Sequence, residues 1–303
     1  MNKIPVNTHN PALHGWIVID KPSGLTSAAV VARVKKHFNL PRKFKVGHAG
    51  TLDPLATGIL PIAIGEATKV VRFVTDETKG YDVVVKWGES KDSDDSSGKS
   101  IGETSILPTQ NEIISILPKF TGHIKQVPPN FSAIKIKGKR AYNLARKNIN
   151  FTLEPRTVRL DKISLEDFGV DWARFSIICG KGMYVRSLVR DLAASLGSMG
   201  HVTALRRTKV GCFVEKLAIS LDNLETLGHS AARLDIVLPV DFALADIPAL
   251  ELTKAQATRL RNGQEVVRPF SGAGTVRVKC GLQLVAMAET NGKSIRPTRV
   301  FNN

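Results

Sequence analysis

The chain has 303 residues, enough for one large domain or two and for a substantial buried core. Its 43 Lys and Arg residues against 27 Asp and Glu give a formal charge of +16 and a pI near 9.9, an excess that favours a polyanion, above all nucleic acid, as partner. No segment combines a basic face with a strong aromatic or leucine face, no run of about 18 apolar residues occurs, and Cys179, Cys212 and Cys280 are too scattered for a disulfide framework or structural zinc.

The stretch "GWIVID" predicts a buried strand and "KPSG" a turn; "LTSAAVVARVKKHF" predicts a helix capped by Thr26 or Ser27, with lysines in its last turn. A strand "GILPIAIG", a helical "EATKVVRFV" and a β-branched strand "GYDVVVKWG" follow. Residues 89–104, rich in Ser, Asp and Gly, read as a mobile loop; Asp92 and Asp94 are spaced like calcium ligands, but no glutamate closes the loop. Next come a short helix in "TQNEIISILPKFTG" and loop, strand and basic helix across "QVPPNFSAIKIKGKRAYNLARK". Strands "RTVRLDKISLED" and "WARFSIICG" lead into an amphipathic helix "YVRSLVRDLAASLG" and a closing strand "ALRRTKVGCF". Beyond residue 240 a connector feeds a small unit with one helix, "KAQATRLRNG", and the β-segments "TVRVKC" and "LQLVAMAE". The irregular interleaving indicates an α+β fold. The N-terminal "MNKIPVNTHNPALHG" has no apolar signal-peptide core, and the expected address is the cytoplasm.

The segment "GHAGTLDPLATG" (47–58) concentrates the chemistry. Pro54 restricts Asp53 to extended geometry, and flanking glycines let the backbone bend and approach a ligand. Such a carboxylate suits a nucleophile, although Asp-Pro is also an ordinary turn starter. A His48/Asp53 metal pair lacks further ligands. Arg186 and Arg190 lie four apart on one helix face, Tyr184 precedes them, and an arginine near Asp53 would aim the carboxylate. Tyr81 follows Lys79 and Gly80 and could stack on an extruded base or serve as a plain strand tyrosine. The Lys/Arg wealth of "KIKGKRAYNLARK" and "ALRRTKVG" could neutralise phosphates.

The ordered series "GWIVIDKPSGLTS", "KVGHAGTLDPLATGILPIAIGEATK", "KGY", "QVPPNFSAIKIKGKRAYNLAR", "CGKGMYVRSLVRDL" and "HVTALRRTKVG" resembles the bacterial tRNA pseudouridine synthase B family from about residue 14 to residue 215, and more weakly beyond. The resemblance implies a pseudouridine-synthase fold: a mixed sheet flanked by helices around a central cleft, in residues 1–240, with an RNA-gripping thumb at about 125–150 and a PUA-like RNA-binding unit over 241–303. It implies isomerisation of uridine 55 in the tRNA T loop, without metal or organic cofactor, with Asp53 as nucleophile. Tyr81 then stacks on the base, Arg186 pairs with the catalytic carboxylate, and His48 fills the space the uridine leaves. Tyr184 and Leu205 line the base pocket, and Lys21 and Pro22 support the active-site loop. The implied partner is the tRNA T-arm stem-loop, with no membrane, no obligatory protein partner and a monomeric state; a tRNA-folding chaperone role could coexist. A guide-RNA-dependent synthase shares these motifs, but the short C-terminal unit and lack of Lys-rich tails favour the stand-alone enzyme. Phe131 stands where the family usually has a tyrosine, and Met183 where it has a small polar residue.

Overall fold

A computed structural model describes residues 13–228 and 232–302. Most of the N-terminal segment read above for a targeting signal lies outside them. A ten-stranded sheet forms the centre, its main path running Ile219–Ser220, Gly15–Lys21, Thr57–Ile64, Gly200–Val210, Lys79–Trp87, Trp172–Cys179, Arg156–Phe168 and Gly122–Gln126. Val46–His48 and Phe213–Val214 pair onto it from the side. Most neighbours are antiparallel, but Gly15–Lys21 runs parallel to Ile219–Ser220, and Thr57–Ile64 parallel to Gly200–Val210. The sheet is therefore mixed, as expected.

Both faces are covered, which explains why "GWIVID" is apolar at nearly every position. Ile17 and Ile19 face a core shared with the helices Ser27–His37, Gln110–Ile116 and Val185–Ser195, whereas Trp16 and Val18 face a second core. That second core takes in Val70 and Val74 of the segment Gly65–Thr75, which is 3₁₀ before it becomes α-helical, not one continuous helix. It also takes in Leu284, Met287 and Phe301, so the five-stranded C-terminal sheet is docked on the central one by apolar contact. The connector contributes Val240 and Leu244, and the Val240 carbonyl accepts from Trp16 Nε1 at 3.1 Å.

Local capping follows the sequence. Thr26 accepts from the amide of Ala29 at the first helix, and Thr109 forms a full capping box with Glu112. Residues 89–104 differ from the expected mobile loop: Glu89–Lys91 and Ser100–Glu103 form a hairpin, with Ser93 and Asp95 buried. The Asp92 carboxylate is used in the turn, accepting from the amide of Lys99 at 2.8 Å, and Asp94 sits in left-handed backbone at φ 60°. The expected basic helix after the strand is a two-residue hairpin, Lys135–Ile136 with Lys139–Arg140, and a single short helix, Ala141–Ala145. Among the described residues, no helix is long and apolar enough to cross a membrane.

The parallel contact between Thr57–Ile64 and Gly200–Val210 covers only two pairs, Arg206 with Thr57 and Arg207 with Gly58. Gly58 has φ +95°, and a Cβ there would lie 2.2 Å from the Arg207 carbonyl oxygen. Gly24 has φ +86° with nothing within 4 Å of an added Cβ. Gly24→Ala is expected to cost only backbone strain, about 1–3 kcal/mol. Gly58→Ala adds a backbone clash, and equilibrium urea unfolding should place it lower by more than about 1 kcal/mol; equal losses would refute the close approach.

Candidate functional site

Asp53 sits on a turn stitched to the start of the chain. The Ser27 hydroxyl donates to the Leu52 carbonyl at 3.0 Å and accepts from the Leu52 amide at 2.8 Å. The Ala56 amide closes the turn on the Asp53 carbonyl at 3.1 Å, and the Gly24 amide donates to the Pro54 carbonyl at 2.8 Å. Lys21, with no exposed surface, donates from Nζ to the carbonyls of Pro22 (2.8 Å), Leu25 (2.7 Å) and Pro54 (3.2 Å). Lys21 thus braces the turn through backbone oxygens, the Pro22 carbonyl among them, while the Pro22 ring stays exposed. Burial pushes the Lys21 ammonium down to about 8, against the pull of Asp53 and with the help of Arg207.

The helix Val185–Ser195 supplies the partner that spacing alone could not assign. Arg186 Nε pairs with Asp53 Oδ2 at 2.9 Å; the arginine side chain is 5 % exposed and the carboxylate 37 %. One Nη donates to the Ser93 carbonyl at 2.8 Å and the other to the Phe131 carbonyl at 3.0 Å. Asp95 Oδ2 stands 3.6 Å from Nε, while its other oxygen accepts from the hydroxyls of Ser93 and Ser97. The nucleophile candidate is therefore open on one side and fixed on the other by an arginine with no remaining freedom. Arg190, one turn on, pairs with Asp94 at 2.9 Å and donates to the Val127 carbonyl at 2.8 Å. Burial outweighs this pairing and pushes the Asp94 carboxyl up to about 6. Asp95 and the hairpin around it were missed in the sequence, where Ser/Asp/Gly composition reads as loop.

Tyr81 lies on the strand Lys79–Trp87, packed against the main core and opposite Arg207 in register. Burial raises its hydroxyl pKa, and the Arg207 guanidinium pulls it back by charge and hydrogen bonding. His48 is half-buried at the end of the strand Val46–His48, with its ring Nδ1 buried and, among the described residues, without a hydrogen-bond partner. Burial first, and Arg207 second, lower its pKa from the ordinary histidine value and so favour the neutral ring.

Tyr184 precedes the helix Val185–Ser195, and Gln126 grips its backbone: the Tyr184 amide donates to Gln126 Oε1 at 2.8 Å, and Gln126 Nε2 donates to the Tyr184 carbonyl at 3.1 Å. Its hydroxyl pKa is raised by burial. Leu205 is 7 % exposed and joins the main core. The sequence grouped "ALRRTKVG" as phosphate-neutralising, but its two arginines part company. Arg206 is out at the surface on Asp20 and Glu215, whereas Arg207 is 1 % exposed and cannot reach a phosphate. Phe131 is held by its carbonyl on Arg186 and by an edge-on ring contact with Tyr142, so the hydroxyl of a tyrosine is not needed for either.

An anionic carboxylate beside a half-buried aromatic, a neutral histidine and a wall of buried cations can attack an electrophilic carbon and accommodate developing negative charge. A model of TruB family pseudouridylate synthases (N-terminal domain) matches residues 35–185. The tRNA pseudouridylate synthase B C-terminal domain matches 186–245, and the C-terminal model of pseudouridine synthase II TruB matches 248–301. The tRNA pseudouridine synthase B of Rhodospirillum rubrum is 47 % identical over 302 residues, spanning 96 % of this chain and 97 % of the relative. That of Bradyrhizobium diazoefficiens is 49 % identical over 300 residues, spanning 96 % and 86 %. Among solved structures, a Cbf5–Nop10–Gar1 complex contains a chain that superposes with a TM-score of 0.74 at 26 % identity, over 98 % of this chain and 87 % of that one. With the fold, the Asp53 turn and these matches in agreement, the chain belongs to the TruB family of pseudouridylate synthases.

Proposed function

We propose that this chain converts uridine 55 in the T loop of tRNA to pseudouridine, as a stand-alone cytoplasmic monomer without cofactor, with Asp53 as nucleophile. The observation that carries the reading is the Asp53–Arg186 pair, with a half-open carboxylate on a buried arginine at 2.9 Å. Asp53 attacks C6 of the base or C1′ of the ribose. The N1–C1′ bond breaks, the base turns, and C1′ bonds to C5. An aspartate bonded to C1′ is displaced by C5 in that step, and one bonded to C6 is eliminated from C6 after it, so Asp53 is returned as the free carboxylate. The C5 proton leaves and N1 takes one up, so substrate and product are isomers and no oxidant or reductant enters.

The target base must leave its stack at a cost of roughly a few kcal/mol. Tyr81 receives it by stacking, with Tyr184 and Leu205 beside the pocket. His48, neutral and with an unpartnered Nδ1, takes the vacated place in the loop without adding a charge. The thumb hairpin, with Lys135, Lys137, Lys139 and Arg140 exposed, grips phosphates, and the C-terminal sheet supplies further RNA surface.

Release of tritium from 5-³H-uridine-labelled tRNA transcript, with no added metal or guide RNA, tests this directly. Release is expected from transcripts with uridine at position 55 and not from those with cytidine; release from both would dismiss the site assignment, and release only with a guide would dismiss the stand-alone reading. Asp53→Asn is expected to lower the single-turnover rate on the order of 10³-fold or more while tRNA affinity changes less than about threefold. Replacing Lys135, Lys137 and Lys139 by Gln should flatten the plot of log affinity against log salt by about 0.7–0.9 for each phosphate no longer neutralised; an unchanged slope would remove the thumb from the interface. Because Lys21 bridges three carbonyls only as an ammonium, the rate is expected to fall as pH rises through about 8, the value to which burial brings it. Lys21→Met should be slower and lack that limb; an identical pH profile in the variant would exonerate Lys21.

A further inference from the structure

Asp53 and Tyr81 come from separate parts of the chain, and one buried side chain reaches toward both. Arg207 Nε donates to the Ile59 carbonyl at 2.8 Å, while its two Nη atoms donate to the carbonyls of Thr51 at 3.4 Å and Gly50 at 3.1 Å. Gly50 and Thr51 precede Asp53 and Ile59 follows it, so one guanidinium ties together the two ends of the catalytic turn. Across the register pair Arg207–Tyr81 the same residue stands beside Tyr81 on the neighbouring strand, close enough for its charge to act on the Tyr81 hydroxyl. Among the described residues no carboxylate forms an ion pair with it. Lys21, His48 and Lys79 all feel it as a repelling charge. Burying a cation without a counter-ion costs several kcal/mol, and neutral amides could tie a turn for less. The charge is retained where it costs most, which calls for a role beyond that of a strut.

We infer that Arg207 is a positioning residue for the isomerisation: its guanidinium locks the turn that presents Asp53 and, from the same point, fixes the hydroxyl of Tyr81, so the nucleophile and the stacking aromatic keep one geometry across the sheet. The inference rests on the roles proposed above for Asp53 and Tyr81. Those roles ask for a near-attack arrangement between a carboxylate on a turn and a base lying on a strand residue, and an error of about 1 Å in such an arrangement can cost on the order of 10²-fold in rate. Arg186 fixes Asp53 from the helix side, and Arg207 fixes the backbone beneath it from the sheet side. At 1 % exposure Arg207 has no surface with which to bind RNA, so its contribution falls on the chemical step and not on affinity.

The test compares Arg207→Lys and Arg207→Met in the full chain, by tRNA affinity, single-turnover rate at saturating enzyme, thermal midpoint and NMR titration of the His48 ring, identified by its loss in His48→Gln. Arg207→Met is expected to slow turnover about 10²-fold with affinity within about threefold, and to move the His48 titration to higher pH because the repelling cation is gone. Arg207→Lys keeps the charge without the fork: His48 should titrate near its original position while turnover remains slowed. In a Tyr81→Phe background the further loss caused by Arg207→Lys should be smaller than in the parent, since part of its effect passes through the Tyr81 hydroxyl. Should Arg207→Met fail to fold, the Lys variant and this double-mutant cycle decide the matter alone. Parent-like turnover in Arg207→Lys, equal losses in both backgrounds, or a rate loss that tracks the unfolded fraction with His48 unmoved would each overturn the inference. Full turnover in Asp53→Asn would instead strike at the reading of the site on which it rests, and the His48 titration would stand apart from that result.

Discussion

The close approach of two backbones, Gly58 against Arg207, is the constraint from which the site is built. Two parallel register pairs join Thr57–Ile64 to Gly200–Val210, reinforced by Arg207 Nε on the Ile59 carbonyl, and the carbonyl of Arg207 fills the place where any side chain at residue 58 would stand. This contact sets the end of the Asp53 turn beside the strand Gly200–Val210, which is paired on its far side with Lys79–Trp87. Asp53, Arg207 and Tyr81 thus meet because three strands are adjacent, though their residues are far apart in the chain. A rigid sheet fixes a reacting group better than a free loop can, and the Asp53 turn borrows that rigidity through carbonyls at both of its ends.

Arg186 plays the complementary part from the helix layer. Its desolvation is offset by four oxygens: one from Asp53, two backbone carbonyls from Ser93 and Phe131, and a more distant one from Asp95. Together they join the Asp53 turn, the acidic hairpin and the loop at Phe131 through a single guanidinium. The thumb's root is held a second time by Arg190 at Val127. Under the function proposed above, the thumb and the carboxylate share one side chain, Arg186, and need no other link.

Much of this was legible in the sequence where the physics is local. The apolar run of the first strand, the Thr26 cap and the glycine-flanked Asp-Pro turn all follow from neighbouring residues, and the order of motifs pointed to Arg186 as the partner of Asp53. What escaped depends on distant partners. Residues 89–104 have the composition of a loop because Ser and Asp satisfy their own backbone; Arg186 and Arg190, more than ninety residues away, convert that loop into a wall. "RR" in "ALRRTKVG" looks like surface charge, yet alternation along a strand sends adjacent residues to opposite faces. Arg206 found Asp20 and Glu215 outside, and Arg207 went in.

That division revises what the charge of +16 means. A basic composition was read as surface for RNA, but Lys21, Lys79, Arg186 and Arg207 are all buried. Three of them direct their donors to backbone carbonyls: Lys79 to those of Thr75 and Glu77, Lys21 and Arg207 to those around the Asp53 turn. Carbonyl dipoles solvate a cation without cancelling its charge, so these residues leave a net positive field inside the protein where carboxylate partners would have quenched it. In the proposed reaction, attack at C6 drives negative charge onto the exocyclic O4 of uracil and attack at C1′ leaves it on the departing base, and preorganised charge of the opposite sign stabilises either with no reorganisation cost at the moment of reaction. Under the function proposed above, exposed lysines attract the tRNA over a Debye length, and the buried cations act only on a base turned in beside them.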